Sequence, residues 1–174
     1  MHKSGGFTIV EIIIVCIVLG ILVTIGTVSW AGSLVSGRDR TRNIEQQDWV
    51  KRYDTYRNRY NVYPNASSTG VALNARYCLG TAFPSNTCAG GSIATSTNDA
   101  APNTVMTELT KVGTLPDYKH SLARGNYVGP WADYTTSTRI RIYQAYEGES
   151  CPAGTTIDTT YSGATVCYIE LAKN

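Results

Sequence analysis

Hydrophobic positions are distributed very unevenly along the chain. From Phe7 to Val28 the sequence runs FTIVEIIIVCIVLGILVTIGTV, about 22 residues with a single charge, long enough at about 1.5 Å per residue to cross a hydrocarbon core of about 30 Å. The pattern predicts a helix that is apolar on every side, extending to residue 35. Past Gly37 it becomes RDRTRNIEQQDWVKRYDTYRNRYNVYPN, where Trp49, Tyr53, Tyr56, Tyr60 and Tyr63 fall at alternating four- and three-residue intervals. One aromatic stripe on a helix follows, which predicts an amphipathic stem packed on a sheet. Pro64 disfavours helix at the residue before it, so the stem should end near Tyr63. Gly20, Gly26, Gly32 and Gly37 each disfavour helix by about 1 kcal/mol relative to Ala. Close packing of helices and local unwinding are equally good reasons for them.

Beyond the stem the pattern shortens and turns polar. Residues 65–101 are rich in Ser, Thr, Asn, Ala and Gly and read as a long excursion. Asn103 to Gly113 reads as a short capped helix with Val105, Met106, Leu109 and Val112 on one side, ended by Leu115-Pro116. Arg139 to Tyr146 alternates as a strand, with Ile140, Ile142 and Tyr146 on one face and Arg139 and Arg141 on the other. Thr155–Tyr161 and Ala164–Leu171 flank Ser162-Gly163, the pattern of a hairpin with a two-residue turn. Cys167, Ile169 and Leu171 then share the inner face of the last strand.

Composition sharpens this division. Charged residues make up 16% of the 174 positions and the formal net charge is +2, so no global field selects a nucleic acid or an acidic substrate. The stem does carry three more positive than negative charges: Arg38, Arg40, Arg42, Lys51, Arg52, Arg57 and Arg59 against Asp39, Glu45, Asp48 and Asp54. Anionic lipid or DNA is a conceivable partner for that excess. A solvated helix face with internal ion pairs is the simpler reading. Twelve Tyr against two Phe fit a domain whose aromatic rings pack on one side and keep a hydroxyl near water. Cys16 stands alone in the apolar run, where it serves as an apolar filler. Cys78, Cys88, Cys151 and Cys167 lie in the polar part and imply two disulfides in an exported domain. Three connectivities are possible, and the sequence-local one, Cys78 with Cys88 and Cys151 with Cys167, is favoured.

The anomaly of the apolar run is Glu11. A carboxylate deep in a membrane helix costs about 2.5 to 3.5 kcal/mol, less near the interface, and calls for a partner. No Lys or Arg lies within reach on the same helix, and the nearest conceivable cation is an amino terminus created by cutting between Gly6 and Phe7, one helical turn away. An ordinary secretory signal, with a small-x-small site at Ser29-Trp30-Ala31, would have a shorter apolar region and no acid. A lipoprotein signal would need a small residue where Val15 precedes Cys16. A plain single-pass anchor explains the length but not Glu11.

Gly6, Phe7, Thr8, Ile9, Val10 and Glu11, behind a short leader bearing Lys3, resemble residue by residue the start of type IV pilin precursors and of the pseudopilins of type II secretion. The Tyr60 to Pro64 ending also resembles the close of a pilin stem. The resemblance implies a prepilin peptidase that cuts after Gly6 and N-methylates Phe7. It further implies that Glu11 neutralises the amine of a neighbouring subunit as filaments assemble at an inner-membrane platform. The implied fold is α+β, a long N-terminal helix with a membrane-spanning first half, packed on a small antiparallel sheet. The expected division is 1–6 leader, 7–35 membrane and assembly helix, 36–64 amphipathic stem, and 65–174 disulfide-braced head. Such a precursor resides in the cytoplasmic membrane and, once assembled, in an extracellular or cell-envelope filament serving adhesion, motility, DNA uptake or secretion. Retention of Glu11 speaks against a tip subunit.

Catalytic chemistry is poorly supplied. His2 falls in the leader, leaving His120 as the one histidine beyond it, so no histidine-based zinc site is expected. No nucleophile elbow or phosphate-binding glycine loop occurs. Asp117, Asp133, Glu147, Glu149 and Asp158 offer oxygen ligands, and some pseudopilins hold calcium in C-terminal loops, yet no loop spacing marks such a site here. Asn65-Ala66-Ser67 matches a glycosylation acceptor of little meaning in a bacterial-type exporter. The expectation is a structural subunit without cofactor, not an enzyme; the competing class is a membrane-anchored extracellular binding domain that never polymerises.

Overall fold

The computed structural model describes residues 8–73, 75–80, 83, 88, 97–98, 103–117, 127–134 and 139–172, with the side chains of 25–31, 68 and 97–98 outside that description. The leader, Phe7, His120 and most of the 81–102 excursion lie outside the described residues. Helix α1 runs Ile9–Tyr60. By its internal contacts the chain divides into two compact units, Met1–Gly37 and Arg38–Asn174.

In the first unit the helix is unbroken through its glycines. A Cβ at Gly20 or Gly32 would meet nothing within 4 Å. Its aliphatic side chains are open on all sides, from Ile9 at 80% to Val15 and Val18 at 49% exposure. Among the described residues no helix is long and apolar enough to cross a membrane. The crossing expected over residues 7–35 takes in Phe7 and the side chains of 25–31, which lie outside the described residues.

The second unit is built on the remainder of α1. Trp49, Tyr53 and Tyr56 are buried in its core together with Tyr63 from beyond the helix. Tyr60, expected in that stripe, is 39% exposed instead. The helix also stops three residues before Tyr63, because Asn61 adopts a left-handed φ of 58° and its N–H bonds back to Arg57 O at 2.7 Å. That is a helix-terminating cap, and Asn is among the residues that tolerate it.

Short helix α2 (Ala66–Thr69) follows, and α3 (Thr104–Thr110) sits later in the chain. Asn103 caps α3, its Oδ1 accepting from Met106 N at 2.9 Å, while Val105, Met106 and Leu109 are buried. The helix ends at Thr110, before Leu115-Pro116. Arg52 and Arg59 of α1 reach its frayed end, donating to Val112 O at 2.9 Å, to Thr114 O, and to Lys111 O at 3.1 Å. Cations suit the electronegative end of a helix.

The sheet comprises β1 (Arg76–Cys78), β2 (Thr97–Asn98), β3 (Trp131–Asp133), β4 (Arg139–Tyr146), β5 (Thr156–Ile157) and β6 (Thr165–Ala172). Their order is β2-β1-β3-β4-β6-β5. Only the β1 and β2 pair is parallel; β1, β3, β4, β6 and β5 form an antiparallel sheet. With α1 this is the expected α+β arrangement. Strand β4 spans its expected residues, and Ile140, Ile142 and Tyr146 are all buried. The expected two-residue turn at Ser162-Gly163 is absent. Ile157 pairs with Cys167, so nine residues intervene. Asp158 takes the chain out of the ladder by accepting from Thr160 N and Oγ1 at 3.0 and 2.6 Å, an Asx-type turn. Tyr161 is thereby freed to join a second hydrophobic cluster.

That cluster covers the other face of the sheet. Trp131, Tyr143 and Tyr161 pack there with the Cys78–Cys88 bridge, the Trp131 and Tyr143 rings stacking at 5.2 Å. One step along the strands, Arg76, Asp133, Arg141 and Glu170 stand in register across four strands with alternating charge. Arg76 Nε lies 2.9 Å from Asp133, and Arg141 Nε 3.0 Å from Glu170. Opposite charges facing one another across strands support pairing. Nearby, Gly129 has φ of 69°, and a Cβ there would lie 2.0 Å from Gln144 Oε1; only glycine fits that approach.

Candidate functional site

The site singled out by sequence is the start of α1. Gly6 and Phe7 lie outside the described residues. From Thr8 onward the geometry is a reciprocal cap. Glu11 N donates to Thr8 Oγ1 at 3.3 Å, while Thr8 N and Thr8 Oγ1 donate to Glu11 Oε2 at 3.0 and 2.9 Å. This is a capping box, which satisfies otherwise orphaned donors at a helix start and places a carboxylate against the positive end of the helix dipole. Reading the sequence for a cation to match Glu11 overlooked Thr8. The signal was present, since Thr-x-x-Glu before an apolar run is itself a helix-start signature.

The aliphatic side chains that follow are exposed, and so is the free thiol of Cys16. The four other cysteines form two bridges, Cys78 to Cys88 and Cys151 to Cys167, with Cα atoms 5.6 and 5.8 Å apart. The Cys151 bridge ties the β4–β5 connection to the middle of β6. Cys88 O accepts from Val128 N at 3.2 Å and Gly129 N at 2.7 Å, so the other bridge holds the approach to β3.

The stem charges turn toward the head more than toward one another. Arg38 and Arg42 bond Glu147, Arg52 and Arg59 bond carbonyls after α3, and Arg57 lies over the Tyr63 ring at 5.3 Å. Within the stem, Arg42 and Asp39 approach to 3.9 Å. A buried polar set went unseen in the sequence: Gln46 Nε2 donates to Ile142 O at 2.8 Å and Cys167 O at 3.2 Å, and Tyr146 donates to Gln46 Oε1 at 2.8 Å. Burial, then the neighbouring Glu108 carboxylate, pushes the Tyr56 hydroxyl up to about 12, so it serves as a donor to Glu108 at 3.0 Å at any ordinary pH.

The expected oxygen ligands are engaged elsewhere: Asp133 with Arg76, Glu147 with two arginines, Asp158 with Tyr143 and Thr160. Among the described residues no group of three or more His, Cys, Asp or Glu is placed to hold a metal ion. Asn65 of the glycosylation match bonds the backbone of Tyr63 and Ser67.

Residues 1–27 match the family model of the prokaryotic N-terminal methylation motif. That motif is the hallmark of type IV pilin and pseudopilin precursors. It covers the expected leader 1–6, the Gly6-Phe7 junction, the capping box and most of the apolar first part of α1. Compared with curated proteins and with solved structures, the chain has no match. The methylation motif therefore supports a pilin-like or pseudopilin precursor.

Proposed function

We propose that the chain is a structural subunit of a type IV pilus or a related filament such as a secretion pseudopilus, assembled through its N-terminal helix. The methylation motif over residues 1–27 carries this reading. A prepilin peptidase cuts between Gly6 and Phe7 and methylates Phe7. The new amine then stands one residue before the Thr8 cap, and Glu11 meets the equivalent amine of a neighbouring subunit. In a water-poor filament core two uncompensated charges are each costly, so their pairing fixes the register at which subunits add. The exposed helix gives the driving force. Covering apolar surface yields about 25 cal/mol per Å², and the Ile, Val and Leu side chains from Ile9 to Val23 offer a continuous supply, each at least 49% exposed. Before assembly, membrane lipid covers the same residues; afterwards other subunits do, in a filament outside the cytoplasmic membrane.

The role is assembly, without catalysis, metal or cofactor. Two substitutions separate it from that of a non-polymerising anchor. Glu11→Gln keeps an oxygen for the Thr8 cap but removes the charge, and Glu11→Ala removes both. The reading expects both variants to insert normally, to keep the wild-type melting temperature of unit 38–174, and to be lost from filaments. Wild-type incorporation of Glu11→Gln contradicts charge pairing, and wild-type incorporation of both contradicts the reading altogether.

A further inference from the structure

Just after Gly37, where the second compact unit begins, three consecutive features of α1 meet the turn that follows β4. Arg38 grips both oxygens of Glu147, Nε at 2.8 and 3.0 Å and Nη2 at 2.6 Å. Arg42 Nη2 approaches the same carboxylate at 3.4 Å while its Nη1 donates to Val128 O at 3.4 Å. Asp39 returns the exchange: its two oxygens accept from Glu147 N at 2.9 Å and Gly148 N at 2.8 Å. Gly148 comes so close that a Cβ would sit 3.0 Å from Asp39 Oδ2. Charge thus runs in both directions between the helix and one turn. Immediately beyond, Glu45 accepts from Gln144 Nε2 at 3.0 Å, a group that also donates to Arg42 O at 3.4 Å, and Gln46 bonds Ile142 and Cys167; none of these contacts uses an arginine side chain.

We infer that Arg38, Asp39 and Arg42 form with Glu147 and Gly148 a charge-operated latch on the first turns of the head-bound helix, and that loss of the Glu147 charge opens it while the contacts from Glu45 onward hold. The attraction is concentrated on one carboxylate. Both guanidinium groups converge on it, whereas Asp39 meets Arg42 Nε only at 3.9 Å and otherwise accepts from backbone N–H groups of the same turn. Remove the Glu147 charge and both cations lose the carboxylate they share, while the two N–H bonds that Asp39 accepts from the turn remain. Among the described residues, Arg38 and Arg42 of α1 bond the Glu147 carboxylate and Asp39 of α1 accepts from its backbone N–H; Glu45, further along α1, bonds Gln144, and Tyr146 and Glu149 flank Glu147 in the chain. Arg38, before any other cause, holds the Glu147 carboxyl below the ordinary range. A lowered carboxyl pKa stabilises the closed form above the unfolded value, and that stabilisation is lost as pH falls through the folded value. The latch is therefore shut near neutral pH and opens in acid.

The test uses the full chain in detergent micelles and follows amide hydrogen exchange at Glu147 and Gly148, the two N–H groups bonded to Asp39. In Glu147→Gln at pH 7 these amides should exchange about tenfold faster or more, as expected when a charge-assisted contact that closes a local opening is removed. Amides of the β4–β6 ladder should change by less than about twofold. Wild-type protein taken stepwise from pH 7 into acid, after correction for intrinsic rates, should develop the same pattern, and the acid-dependent step should shrink in the variant. Arg38→Gln, at the exposed end of the latch, supplies the same comparison if Glu147→Gln does not fold. Unchanged exchange at both amides, equal loss of protection along the whole ladder, or an undiminished acid step in Glu147→Gln overturns the latch.

Discussion

One continuous helix carries two opposite solutions to the same physical problem. From Ile9 to Val23 its aliphatic side chains are open, with Ile13, Ile17 and Leu19 between 53% and 58% exposed. After Arg38 its sequence is mostly polar, yet Arg42, Glu45, Gln46, Trp49 and Tyr53 are each at most 7% exposed. Hydropathy alone would assign burial the other way round. The second stretch obtains its partners from the same chain: Gln46 bonds the carbonyls of Ile142 and Cys167, Glu45 accepts from Gln144, and Trp49 and Tyr53 pack into the core. Among the described residues none covers the first. A hydrophobic stretch thus marks a demand for cover, and tertiary structure shows whether that demand is met within the chain.

Trp49→Ala against Ile17→Ala breaks the comparison most severely. Trp49 is fully buried, and its loss should lower the unfolding free energy of unit 38–174 by about 3 to 5 kcal/mol in urea titration. Ile17→Ala should leave that value within about 0.5 kcal/mol and instead reduce recovery in sheared filaments. Replacing Cys151 and Cys167 together by Ser opens a loop with a sequence separation of 16 and should cost about 3 kcal/mol, read as a lower denaturation midpoint. Gln46→Ala sharpens the polar half of the contrast. It strands two carbonyls and the Tyr146 hydroxyl and should cost about 1 to 3 kcal/mol, with no effect on the unfolding of the first unit's helix by circular dichroism.

The sequence made some of this legible and concealed the rest for identifiable reasons. The apolar run, the Asn103 cap, the alternation of β4 and the proximity of the cysteine pairs, 10 and 16 residues apart, are local signals, each contained in one short stretch of chain. Strands β1 and β3 escaped notice because Arg-Tyr-Cys and Trp-Ala-Asp are three residues long, too short for alternation to register. Their charged members are tolerated only because Arg76 and Asp133, 57 residues apart in sequence, meet across the sheet. Gln46 reads as a solvent-facing helix residue until Ile142 and Cys167 are brought beside it. The hairpin expected at Ser162-Gly163 failed for a similar reason: Asp158 bonds Thr160 and Tyr143, and the second aromatic cluster draws Tyr161 in. At the helix start the missing element was nearer still. Thr8 supplies the local partner that Glu11 has in this structure, while the amine sought for it requires the proposed cut after Gly6.

Accurate mass and N-terminal sequence of protein recovered from filaments, or from the outer side of the cytoplasmic membrane, test the central claim most directly. The account predicts a chain beginning at N-methylated Phe7. A mature protein that keeps Met1 to Gly6, or that begins at Gly32, contradicts it.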